Sequence, residues 1–137
     1  MNTIYDAARV KLLSATLNWV ASDLMLSAWS GTPSFIASEY QLADIIARGY
    51  TERGSSMIVN NKGVSSDGTA QTDHILIPTV SIGPDITWFT MSVRKPTHNL
   101  SDLILYIDDA VELPFTPNGL DMVVSPDWLN NRGWFRP

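Results

Sequence analysis

The chain contains no cysteine in 137 residues, and that absence removes disulfides, thiolate metal ligands and cysteine nucleophiles together. Folding then does not depend on the redox state of the compartment. Histidine is scarce, with only His74 and His98, so imidazole general-base chemistry has two places to sit. Charge is sparse as well: Asp, Glu, Lys and Arg make up 17% of the chain, against about 25% in ordinary soluble domains. A surface this poor in charge suggests that part of the exterior is covered by a partner, because contact areas are depleted in Lys, Glu and Asp and enriched in aromatics. No stretch approaches the ~20 apolar residues of a membrane span. The opening MNTIYDAARVKL lacks the basic start and unbroken apolar run of a signal peptide. The expectation is a protein made in a cytoplasm, without membrane insertion, in which the sequon Asn99-Leu100-Ser101 arises by chance.

Nine Lys and Arg stand against fourteen Asp and Glu, for a net charge of −5, and the basic residues scatter from Arg9 to Arg136 without a run or stripe. Binding to a phosphate backbone requires clustered cations that release counterions, so nucleic acid is not an expected partner. What the chain does have is apolar mass. Hydrophobic residues reach 45%, with five Trp, four Tyr and four Phe, which is enough for a packed interior and excludes global disorder. The length suits one domain, residues 1–137, with an irregular aromatic tail at 126–137. No internal repeat, low-complexity tract or linker divides it.

Thr3 or Asn2 is placed to cap a first helix, and Ile4, Ala7, Ala8, Lys11, Leu12 and Ala15 follow at spacings near three and four, ending around residues 13–16. Residues 23–30 change to period two: Leu24, Leu26 and Ala28 alternate with Met25, Ser27 and Trp29, a strand with apolar groups on both faces. Gly31-Thr32-Pro33 turns the chain, and Ser38 is a candidate cap for a second short helical segment carrying Leu42, Ile45, Ile46 and Ala47 and stopped at Gly49. Beyond it, strands are expected at 55–60, 74–80, 86–93, 103–113 and 120–124. Turns at Asn61-Lys62-Gly63, Asp67-Gly68, Gly83-Pro84-Asp85 and Asn118-Gly119 punctuate them. In 103–113, Leu103, Leu105 and Ile107 are expected on one face and Ile104, Tyr106 and Asp108 on the other. Turns every ~8–12 residues predict a mainly β fold, an antiparallel β-sandwich or partly open barrel, with a short N-terminal helix and a second helical segment.

The search for chemistry is short. A nucleophilic triad needs a hydroxyl, a base and an orienting acid; His74 follows Asp73, while His98 sits in the loop Pro96-Thr97-His98-Asn99, and no Ser lies in a Gly-x-Ser-x-Gly elbow. His74 reads as a strand-entrance residue and His98 as an exposed loop residue. Asp108-Asp109 is the most conspicuous carboxylate pair, yet neighbours on a strand point to opposite faces, so they do not converge on one bond unless a bulge intervenes. Metal-ligand spacings are missing, and Asp67 and Asp73, which flank a loop, need no ion as turn formers. Residues 49–54, GYTERG, have neither the Lys nor the glycine spacing of a phosphate loop, and the glycines read as turn residues. The expectation is no enzyme, no cofactor and no metal, with a small hydrolase built around His74 and Asp73 as the alternative from another class.

Trp128, Trp134 and Phe135 stand among Asn130, Asn131, Arg132 and Arg136 at the C-terminus. Two readings stay open. They fold back to close the core, or they form a docking tail, since Trp and Arg are enriched in interface hot spots. Trp29, Trp128, Trp134 and Phe135 are accordingly the expected contact residues.

The order of elements resembles a group of small virion proteins of tailed bacteriophages. The text that carries the resemblance is Tyr5-Asp6-Ala7-Ala8-Arg9-Val10-Lys11-Leu12-Leu13, then residues 24–29, then Leu42-Ala43-Asp44-Ile45-Ile46-Ala47-Arg48-Gly49-Tyr50, then Asp85-Ile86-Thr87-Trp88, and finally Leu103-Ile104-Leu105-Tyr106-Ile107-Asp108 with Pro126-Asp127-Trp128. It spans nearly the whole chain. It departs from the pattern at Glu52-Arg53-Gly54, where Gly-Gly is usual, and in a longer tail. The resemblance implies a β-sandwich located in the virion that decorates and cements the capsid by binding the major capsid protein, as a homo-oligomer. A tail, baseplate or fibre-attachment component is the alternative. No catalytic residue is carried over from such proteins.

Overall fold

The period-two pattern of Leu24–Ser30 and Ile86–Val93 is realised as the centre of an antiparallel sheet in the computed structural model, which describes residues 2–56, 59–110, 112–125 and 134. Its strands in chain order are β1 (Thr3–Ile4), β2 (Leu24–Ser30), β3 (Glu52–Ser56), β4 (Gly63–Val64), β5 (Ala70–Gln71), β6 (Ile75–Ile77), β7 (Ile86–Val93), β8 (Asp102–Ile107) and β9 (Met122–Val124). Two helices, α1 (Asp6–Leu13) and α2 (Leu42–Ala47), and a 3₁₀ turn at His98–Leu100 complete the elements among the described residues. Five strands form the main sheet in the order β1-β8-β7-β2-β3, while β4-β5 and β6-β9 form two-stranded ribbons. The fold is mainly β, as the turn spacing implies.

Alternation on β2 separates two cores. Leu24, Leu26 and Ala28 join Phe89, Met91, Leu105 and Ile107 on one face, packed against Ile75 and Ile77 of β6 and Met122 and Val124 of β9. Met25 and Trp29 join Trp88, Leu103 and Tyr106 on the other, under Leu42 and Ile45 of α2, with Tyr5, Phe35 and Tyr50 around them. Both faces of the central strands are therefore covered, which explains apolar residues at successive positions. Gly54 on β3 lets β6 approach: a Cβ there would lie 2.9 Å from Ile77 Cγ2, closer than van der Waals packing permits.

Several expected boundaries move, each for a physical reason. Thr3 and Ile4 do not begin a helix; they pair with Tyr106 and Leu105 at the edge of β8, where ladder hydrogen bonds outweigh weak helix propensity. Helix α1 starts at Asp6 with Tyr5 as N-cap and no side-chain cap bond. Ser38 does not cap α2. Gln41 and Asp44 do, in a reciprocal box in which the Asp44 carboxylate accepts the Gln41 N–H at 3.1 Å. Of the strand expected at 55–60, residues 57–58 lie outside the described residues, 59–60 are not in a strand, and β3 covers Glu52–Ser56. The one expected at 103–113 ends at Ile107, so Asp108-Asp109 follow the strand. The face assignment along β8 also changes. Ser92 pairs with Leu103 and Met91 with Leu105, leaving Ile104 as the extra residue of a bulge. That bulge puts Ile104 beside Leu105 and Ile107, and Leu103 beside Tyr106.

Candidate functional site

The expected contact residues divide sharply. Trp29 is fully buried between β2 and α2, with its ring stacked on Trp88 at 5.6 Å and its Nε1 donating to Thr90 Oγ1 at 3.0 Å. It is a core residue and offers no contact surface, because its neighbours on both sides are themselves buried. Trp134 is buried as well: its Nε1 donates to Thr72 Oγ1 at 2.8 Å, and its backbone N–H donates to the Ala70 carbonyl. At this position the core-closing reading replaces the docking one. Trp128 and Phe135 lie outside the described residues.

The groups nominated for chemistry take separate partners. His74 is exposed just before β6, and its Nδ1 is 2.6 Å from the hydroxyl of Ser125. Asp73 turns elsewhere and accepts from Asn61 Nδ2 at 2.5 Å, so it does not orient the His74 ring. A Ser–His contact of this kind can pass the hydroxyl proton to the ring, but catalysis needs an acid on the opposite ring nitrogen, and no described carboxylate is bonded there. Nothing local in the sequence marks Ser125 as a serine that faces a histidine across a ribbon.

His98, expected to be an exposed loop residue, is half-buried. Its Nε2 sits 2.8 and 3.0 Å from the two Glu52 carboxylate oxygens and fastens the 3₁₀ turn to β3. Asp108 lies against the Tyr106 hydroxyl, and the Asp109 backbone N–H donates to Asn2 Oδ1. Asp67 closes its own turn, accepting from the Ser65 hydroxyl and the Thr69 N–H. Among the described residues no three His, Asp or Glu side chains group as metal ligands, and no helix is long and apolar enough to cross a membrane.

Two tyrosines in the second core hold their protons unusually well. Tyr5 is raised far above the ordinary phenol value, first by burial and then by the Glu39 carboxylate; burial followed by Asp108 does the same to Tyr106. Both shifts follow from placing a phenolate in low dielectric beside a negative charge. Glu39 is itself clamped by Arg48, whose Nε and Nη2 donate to its two oxygens at 2.9 and 2.8 Å.

The β6–β9 ribbon presents a paired apolar surface. Ile75, Ile77, Met122 and Val124 anchor it to the core, and the pairing Leu76↔Val123 places those two side chains together on its outer face. They are 48% and 49% exposed. Pro78, which follows β6, is exposed too, as are His74 and Asp121 just before the two strands. The pair is legible in the alternation of His74-Ile75-Leu76-Ile77 once the inner face is known. No protein-family model, curated protein or solved structure matches the chain.

Proposed function

We propose that the chain is a structural protein of a bacteriophage particle, a capsid decoration protein that binds the major capsid protein and cements neighbouring subunits as a homo-oligomer. The observation that carries this reading is the Leu76–Val123 pair, held outward on a ribbon whose inner face is locked into the core. An apolar surface mounted on rigid backbone loses little conformational entropy when it is covered. Further support comes from the order of elements, which resembles small phage virion proteins, and from a surface low in charge. Cementing requires contact across subunits; a standard interface buries on the order of 1,600 Å² in total, more than one residue pair supplies, so the ribbon would form the centre of a larger contact.

Light scattering of the purified chain and co-sedimentation with undecorated capsids test the reading. An oligomer that sediments with capsids and raises their resistance to dissociation supports it, whereas a monomer that stays in the supernatant overturns it. Capture by purified tails rather than capsids would move the protein to a tail, baseplate or fibre position. A hydrolase is the second reading, on the contact between His74 and Ser125. Labelling of Ser125 by a serine-reactive phosphonate that disappears in His74→Ala would favour it; absence of labelling removes it.

A further inference from the structure

An open groove of about 540 Å³ runs beside Tyr50, with Arg48 and Arg53 in its walls. Arg53 arrives there because of an irregularity. Ala28 pairs with Gly54 but Trp29 pairs with Glu52, so Arg53 is the extra residue of a bulge in β3, and bulges re-aim the side chains they leave unpaired. Across β2, Trp29 pairs with Trp88 and Ser30 with Ile86. The bulged Thr87 there bonds the Gly31 carbonyl at 2.5 Å. Two bulges thus shape the same end of β2.

The Arg53 guanidinium is fixed without being neutralised. Its Nη1 donates to Ser30 Oγ at 3.2 Å and the Pro84 carbonyl at 2.8 Å, and its Nη2 to the Ser81 carbonyl at 2.9 Å. All three acceptors are uncharged, and among the described residues no carboxylate pairs with it. A Cβ at Gly83 would overlap Nη2, so the absence of a side chain at Gly83 is a condition for this position. Arg48 has its carboxylate in Glu39 and also bonds the Ser34 carbonyl through Nη2. A guanidinium has five N–H donors; among the described residues these bonds leave Arg48 Nη1 and Arg53 Nε unused. Thr51 lines the same groove.

We infer that this groove binds a phosphate-type oxyanion, with Arg53 supplying the charge and Arg48 Nη1 and Thr51 supplying further donors. A planar carboxylate is saturated by one guanidinium fork, whereas a tetrahedral group offers oxygens in several directions and uses donors from separate side chains. In a chain of net charge −5, a fixed cation with no carboxylate partner among the described residues gives such a ligand an attractive wall. The binding is by side chains, so the missing phosphate-loop pattern in residues 49–54 does not bear on it.

The test is a titration of the nitrogen-15-labelled full chain with inorganic phosphate and, separately, methyl phosphate, at ionic strength held constant with chloride. Saturable shifts at the amides of Gly31, Gly49 and Thr51, with a dissociation constant on the order of millimolar, are expected. Arg53→Gln and Gly83→Ala should each weaken binding about tenfold or more. Gly83→Ala keeps the charge and displaces the guanidinium, so it reports on the site even where Arg53→Gln loosens the turn at Pro84. Equal binding of methyl phosphate identifies the terminal phosphate of a larger ligand, and binding of inorganic phosphate alone identifies the free ion. Linear shifts without saturation, or affinity unchanged in Gly83→Ala, overturn the inference.

Discussion

Trp29 and Thr90 are joined across two central strands by a 3.0 Å hydrogen bond from the indole Nε1 to the threonine hydroxyl, with both side chains out of reach of water. Thr90 pairs with Ser27 in the ladder, and Ser92 follows two residues along on the same face. The three hydroxyls differ in what they do: those of Ser27 and Ser92 are buried without a hydrogen-bond partner among the described residues. Thr90→Val removes the acceptor at constant shape and strands the indole N–H, at a cost of about 1–3 kcal/mol. Ser27→Ala removes an unpartnered group, so its expected effect runs from neutral to stabilising. Denaturant unfolding of both variants checks the contrast. Equal losses would mean that the Trp29–Thr90 bond contributes nothing beyond packing.

What could be read in advance follows from how local each cause is. β2 and β7 are visible because every residue from Leu24 to Trp29 and from Trp88 to Met91 is buried on one face or the other, and alternation survives where both faces pack. The pairing of Thr3–Ile4 with β8 is not visible, because its cause is an open strand edge a hundred residues away. The bulges at Arg53, Thr87 and Ile104 are equally hidden: a one-residue slip between strands has no local signature, yet it decides which side chains share a face. Tryptophan misleads for a related reason. Trp29 and Trp134 suggested interfaces by residue type, but their indole N–H groups find hydroxyls inside the core, where amphipathic rings are equally at home. Leu76 and Val123, which do face outward, carry no such compositional flag.

Truncation experiments must be interpreted with Trp134 in mind. Its ring lies in the first core, its Nε1 bonds Thr72, and its carbonyl accepts from Asn2. Trp134→Ala should destabilise the chain by about 3–5 kcal/mol. Trp134→Phe keeps most of the apolar area and loses the hydrogen bond, for a smaller cost of about 1–2 kcal/mol. Deleting everything after residue 128 should then lower stability as Trp134→Ala does, and any loss of capsid attachment in that variant would report unfolding. A truncated chain as stable as the parent would return the tail to a docking role.

Alkaline titration separates the two buried phenols from an ordinary one. A free phenol ionises near pH 10; Tyr5 and Tyr106 are held above that, the first by burial and Glu39, the second by burial and Asp108. The folded value exceeds the unfolded one and the protonated form is the one favoured. Their contribution to stability is therefore complete below about pH 10 and is lost as pH rises toward the folded values. Phenolate absorbance should show two tyrosines that ionise late, together with unfolding, while denaturant midpoints fall above about pH 10. Asp108→Asn should bring the Tyr106 step to lower pH and leave Tyr5 unchanged. Four tyrosines titrating together in folded protein would contradict the burial argument.

The Leu76–Val123 pair lets attachment be separated from folding, because both side chains leave the core to their strand neighbours. Leu76→Thr with Val123→Thr keeps residues suited to a strand and removes about half-exposed apolar groups, so stability should change by only about 0.5 kcal/mol per site. The ribbon pairing of Ile75 with Val124 and Ile77 with Met122 would persist. If the outer face sits at the centre of a capsid contact, the double variant should sediment with undecorated capsids at least about tenfold less well, the magnitude expected for losing central interface residues. Ile82→Thr is the control: Ile82 is 80% exposed but lies off the ribbon, so its loss lowers surface hydrophobicity without touching this face. Equal weakening by the control would reduce the effect to general stickiness, and full attachment by the double variant would place the contact elsewhere on the molecule.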